Sequence, residues 1–88
     1  MTRRFIIAGR VQGVSFRYFT QQAAARLGVK GWVRNNPDGT VEVVAQADAE
    51  ILEDFKSRLS DGPRWAAVDS LQEHDGPEAD FQSFTIQR

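Results

Sequence analysis

Gly9-Arg10-Val11-Gln12-Gly13-Val14-Ser15-Phe16-Arg17 is the run that decides how this chain is built. An apolar segment enters it, glycines punctuate it and a helical periodicity leaves it, so it reads as a strand, a tight loop and the first turn of a helix. Gly13 can supply a positive φ and lets the backbone approach a ligand with no Cβ in the way. With the helix starting near Phe16, the N–H groups of its first turn have no intrahelical acceptor, and the helix dipole favours an anion there. Arg17 falls in that turn, where its planar, permanently charged fork fits two phosphate oxygens. The run predicts a phosphoryl cradle, although an ordinary strand-loop-helix connection with a surface arginine has the same spacing.

Upstream, Arg3 to Ala8 reads as a strand whose residues Phe5-Ile6-Ile7-Ala8 are apolar on both alternating faces, which suits the middle of a sheet. Downstream, Phe16, Phe19, Ala23, Ala24 and Leu27 recur at offsets of three and four, one helical stripe that Ser15 can cap at its start and Gly28 at its end. Arg17 lies off this stripe and so points away from the core. Val29 to Asn35 and Thr40 to Gln46 alternate as strands around the turn residues Asn36-Pro37-Asp38-Gly39, a hairpin. Asp48 can cap a second helix with the stripe Ile51, Leu52, Phe55 and Leu59, and Gly62-Pro63 stops it. Trp65 to Glu73 and Gln82 to Gln87 close the chain as strands. The order βαββαβ(β) is an α+β class, the split β-α-β repeat of a ferredoxin-like sandwich with an extra strand, two helices covering one face of a mainly antiparallel sheet.

At 88 residues, the chain is expected to be a single domain, 1–88. It has no cysteine, which removes disulfides, thiolate metal sites and cysteine nucleophiles together. No apolar run is long enough for a signal peptide or a membrane span, so a cytoplasmic location without membrane contact is expected. The net charge of −1 hides a polarity: Arg3, Arg4, Arg10, Arg17, Arg26, Lys30 and Arg34 precede the first acid, and all 12 Asp and Glu residues follow Asn36. The front of the chain is built to meet an anion.

Few residues invite other chemistry. His74 is the only histidine and stands in a polar segment away from any serine it could activate. Asp, Glu and His do not recur at ligand spacing, so neither a metal nor another cofactor is expected. Gly9 to Gly13 lacks the Lys-Ser/Thr that follows the glycines of a nucleotide-binding P-loop. Electrostatic and positional catalysis remains, and phosphoryl transfer can run on it. A neutral amide such as Asn35 or Asn36 can hold a water without repelling an anionic substrate. Asparagine is equally at home at the mouth of a hairpin, and the residues alone do not choose.

Gly9 to Arg17, together with Gly31-Trp32-Val33-Arg34-Asn35 and Pro37-Asp38-Gly39-Thr40-Val41-Glu42, resembles the two signatures of the acylphosphatase family in their order, and the likeness extends to Gly62-Pro63 and the strand around Phe84. The resemblance implies hydrolysis of small acyl phosphates to a carboxylate and inorganic phosphate, the latter both product and inhibitor. It implies that Arg17 binds the phosphate, that Asn35 orients the attacking water, and that the core strands lie in the order 4-1-3-2. On that basis the amides of Gln12, Gly13, Val14, Ser15, Phe16 and Arg17 hold the phosphoryl oxygens. Ser15 stands where bacterial relatives often carry Gly, and Asn36 where many carry Ser or Thr. A monomer is expected.

Two rival functions remain on the sequence. A ferredoxin-like fold with a basic front half could bind RNA, but Trp32 is the only aromatic residue in the second and third strands, short of the paired aromatics that stack bases. The chain could also be a catalytically silent module related to a larger carbamoyl-phosphate-handling enzyme.

Overall fold

The computed structural model describes residues 1–88. Seven elements follow in the expected order: β1 (Thr2–Arg10), α1 (Phe16–Leu27), β2 (Lys30–Asn35), β3 (Val41–Gln46), α2 (Ala49–Asp61), β4 (Ala67–Asp75) and β5 (Phe84–Ile86). They form one five-stranded sheet in the order β4-β1-β3-β2-β5, with both helices packed into a common core on one side. Neighbouring strands are antiparallel except β2 and β5, which run parallel. β1 is interior to the sheet, as its two apolar faces require: Phe5 and Ile7 are fully buried toward the helices, and Ile6 is half-buried on the other side.

The core lies between sheet and helices. Phe55 of α2 is its hub, with ring centroids 6.4 Å from Phe5 and 6.0 Å from Phe84. Full burial of such a ring contributes about 1.5–3 kcal/mol. The α1 stripe differs in one position from the apolar pattern. Thr20 is fully buried, its hydroxyl donating to the Phe16 carbonyl at 2.8 Å, whereas Phe19 and Leu27 are only half-buried. A threonine that satisfies its own hydroxyl within the helix passes as an apolar residue.

β4 begins two residues later than the sequence suggests. The Ala66 amide donates to the Pro63 carbonyl, so Trp65 stays in the turn that follows α2 and is 71% exposed. Where β4 meets β1 the register slips between Ala8 and Gly9. Gly9 has φ 126, and a Cβ there would stand 2.3 Å from the Ala67 carbonyl oxygen. This bulge bends the end of β1 just before the loop it feeds.

At the opposite end of β1, the Glu73 carboxylate accepts from Lys56 Nζ at 2.8 Å and from Arg3 Nε at 2.8 Å, and Arg3 also pairs with Asp75. Lys56 first, then Arg3, hold the Glu73 carboxyl below its usual range. A carboxyl whose folded value is depressed stabilises the protein above the unfolded value and loses that contribution as pH falls through the folded one. Thermal melts across the acid range are therefore expected to show a falling Tm, with a shallower fall in Glu73→Gln; an unaltered slope would remove Glu73 from the account.

Candidate active site

Topology brings three strand ends together. β1 and β2 are both antiparallel to β3 and hence run in the same direction, and β5 is parallel to β2. The loop after Arg10, the last residue of β2 and the end of β5 thus meet at one edge of the sheet, where Ile7 and Asn35 flank Val41 from either side. A cleft of about 340 Å³ opens there, lined by Val11, Gly13, Ser15, Phe16, Arg17, Tyr18, Asn35, Ile86 and Arg88.

The loop from Val11 to Ser15 is pinned from beneath. Val11 is buried in the core and Val14 packs against it. Gly13 has φ 75 and Ser15 φ 63, and Ser15 is the only residue other than glycine with a positive φ. With these turns, none of the backbone N–H groups from Gln12 through Tyr18 donates to an acceptor within the protein. Successive free amides of this kind, set at a helix N-terminus, form a concave anion site. Ser15 occupies the N-cap position of α1, but it takes the left-handed conformation and its hydroxyl caps nothing, contrary to the capping role its sequence position suggests. Its task is the turn itself, at the cost of strain that glycine would not carry. Asp48 likewise precedes α2 without a side-chain cap.

Arg17 is half-buried in the cleft and makes neither an ion pair nor a hydrogen bond with the protein. The five ion pairs of the structure all lie elsewhere. Asn35 closes β2 on the helix-facing side, in phase with the buried residues Gly31 and Val33. Its Oδ1 is the one buried side-chain oxygen or nitrogen in the molecule without a hydrogen-bond partner. An orphaned carbonyl of this kind costs about 1–3 kcal/mol unless something outside the protein satisfies it. Asn36 behaves differently. Its amide is spent within the turn on the Thr40 hydroxyl at 3.0 Å. Thr40 in turn donates through its hydroxyl (2.7 Å) and its backbone N–H (3.0 Å) to Asp38, which holds the Asp38 carboxyl below its usual range. Of the two candidate asparagines, only Asn35 faces the cleft unpartnered.

The structure gathers Gly13, Ser15, Phe16, Arg17 and Asn35 at one cleft and divides Gln12, whose backbone N–H stays free while its side chain turns to the hairpin carbonyls of Asn36 (2.8 Å) and Thr40 (2.9 Å). Val14 contributes its backbone, its side chain being drawn to the core. Tyr18, Ile86 and Arg88 complete the walls without having been singled out by sequence. Tyr18 follows Arg17 directly, but Ile86, and Arg88 just beyond β5, arrive through a long-range parallel pairing that no local pattern announces. His74 pairs in register with Arg4, at the far end of β1.

A family model described as acylphosphatase matches residues 3–86. The chain is 47% identical over 87 residues to an acylphosphatase of Koribacter versatilis, covering 98% of this chain and 79% of that protein. The crystal structure of acylphosphatase from Bacillus subtilis superposes with a TM-score of 0.94 at 33% identity, over 99% of this chain and 98% of that one. Full-length HypF in a phosphate- and nucleotide-bound form contains a region with a TM-score of 0.86 at 29% identity, 99% of this chain against 12% of the longer protein.

Proposed function

The chain belongs to the acylphosphatase family and is a hydrolase of that class, and from that premise we propose how its own residues hydrolyse the carboxyl-phosphate bond of an acyl phosphate. The N–H groups of Gln12 through Arg17 and the Arg17 guanidinium receive the phosphoryl oxygens. The Asn35 Oδ1 accepts a hydrogen from a water and holds its lone pair toward phosphorus, opposite the acyl oxygen. Attack forms the new P–O bond as the bond to the acyl oxygen breaks. The carboxylate leaves with the bonding pair, and the water's proton passes to an oxygen of the phosphoryl group. The cleft is lined by no Asp, Glu or His, so the substrate's own oxygen is the acceptor at hand. A carboxylate is a good leaving group, and phosphoryl transfer asks mainly for alignment and charge stabilisation, which amides and a guanidinium supply without a metal.

The observation that carries this reading is the buried, unpartnered Asn35 oxygen beside an arginine with no carboxylate and a row of free amides. Phosphate release from benzoyl phosphate in the presence of EDTA tests it. Turnover that resists the chelator and is inhibited competitively by inorganic phosphate is expected; absence of turnover, or its abolition by EDTA, rejects it. The reading takes residues 1–88 as one domain acting as a monomer in the cytoplasm. A small substrate also suits the helix-free face of the sheet, where Trp32 is the only strand aromatic and its ring is covered by the Arg34 guanidinium 5.1 Å away, leaving no paired platform for bases. No helix is long and apolar enough to cross a membrane.

A further inference from the structure

We propose that the Gln12 side chain is a positioning residue that locks the phosphate loop to the hairpin carrying Asn35, so that an anion seated on the loop fixes where the Asn35 amide stands. The inference rests on the roles given above to the loop and to Asn35. A primary amide nitrogen has two hydrogens, and Gln12 spends both across the gap between the two halves of the site, on the Asn36 carbonyl at 2.8 Å and the Thr40 carbonyl at 2.9 Å. These two carbonyls belong to the residues that close the hairpin mouth, where the Asn36 N–H donates to the Thr40 oxygen at 2.8 Å. No other side-chain hydrogen bond joins residues 11–18 to the hairpin. Gln12 is therefore a bracket: its backbone N–H is left free in the loop, while its side chain grips the residue next to Asn35.

The chemistry of the grip is specific. Two carbonyl oxygens require a donor with two hydrogens and no charge to desolvate, which a glutamine meets. A carboxylate in its place would set lone pairs against lone pairs. Once protonated, the same carboxyl could donate to one carbonyl, and two facing acceptors favour that neutral form, so its titration would lie above the ordinary range. Gln12→Glu is thus a switchable version of the bracket, and Gln12→Met a version of similar length with no donor.

Gln12→Met is expected to lower kcat for benzoyl phosphate about tenfold, the scale of two ordinary hydrogen bonds, while inhibition by inorganic phosphate changes by less than about threefold. Adding Asn35→Ala to Gln12→Met should cost at least about fivefold less than adding it to the parent, because the amide it removes is already misplaced. In Gln12→Glu, kcat should recover as pH falls, beyond any change in the parent. An undiminished kcat, full additivity of the two substitutions, or a Gln12→Glu profile parallel to the parent would each overturn the inference and leave Gln12 as structural support. An arm independent of turnover keeps it distinct from the mechanism: the Asn35 side-chain NH2 resonance, assigned by its loss in Asn35→Ala, should shift on phosphate titration in the parent and stay still in Gln12→Met. The same shift in both proteins would overturn the bracket even if the parent hydrolyses acyl phosphates; a parent that shifts but does not turn over benzoyl phosphate would fail the mechanism alone.

Discussion

Arg17→Ala is expected to lower kcat/KM for an acyl phosphate by at least roughly 10²–10³, the scale at which one preorganised donor to a developing anion is felt. The guanidinium stands half-buried in the cleft with no carboxylate to neutralise it and no hydrogen bond to hold it, a state in which an arginine has charge and donors to give. Its removal deletes the only side-chain cation of the α1 first turn and leaves the loop amides, with Arg88 as the one remaining cleft-lining cation, against a dianion. Both ground state and transition state carry that charge, so KM should rise as kcat falls, and inhibition by inorganic phosphate should weaken in parallel. Arg17→Lys restores a point charge without the planar fork and should recover only part of the loss. Steady-state kinetics with phosphate as inhibitor measures all three quantities; hydrolysis by Arg17→Ala at the parent rate would end the assignment.

Asn35→Ala should lose about 10² or more in kcat, but its signature is different. In the proposed mechanism the side chain holds the nucleophile rather than the phosphoryl group, so KM and phosphate inhibition should stay near their parent values. It also makes no hydrogen bond within the protein and buries an unsatisfied oxygen, so its removal should leave the melting temperature unchanged or slightly raised. Loss of activity joined to retained or improved stability separates a residue kept for chemistry from one kept for folding. If Asn35→Ala instead abolished phosphate inhibition, the residue would belong to the anion site.

The parts of the fold written in local pattern were legible in the sequence. The doubly apolar Phe5 to Ala8 required an interior strand, the offsets from Phe16 to Leu27 bounded a helix correctly at both ends, and Asn36-Pro37-Asp38-Gly39 marked the hairpin. The start of β4 was misplaced because Trp65 and Ala66 look like strand residues while Pro63 draws them into a turn. Arg17 could be singled out by its position off the helical stripe. Asn35 could not be separated from Asn36 by pattern, since either suits a hairpin mouth; the difference is that Asn36 is consumed by Thr40 and Asn35 is left over. Gln12 read simply as a loop amide, because the two carbonyls it reaches lie 24 and 28 residues further along the chain. Ser15 looked like a cap because serine usually is one; instead it takes a left-handed turn between Val14, which packs on the core, and the buried Phe16.

A receptor whose donors belong to the main chain is written in shape rather than in spelling. From Gly13 to Phe16 the donors left free are main-chain N–H groups, so what these positions must preserve is the path of the chain: a positive φ at Gly13 and Ser15, and side chains at Val14 and Phe16 that still reach the core. Proline at any of them erases a donor outright. In the proposed mechanism the side chain itself is the reagent only at Arg17 and Asn35, with the Gln12 amide bracketing the two halves of the site, and a reader comparing variants should weigh those three letters most heavily.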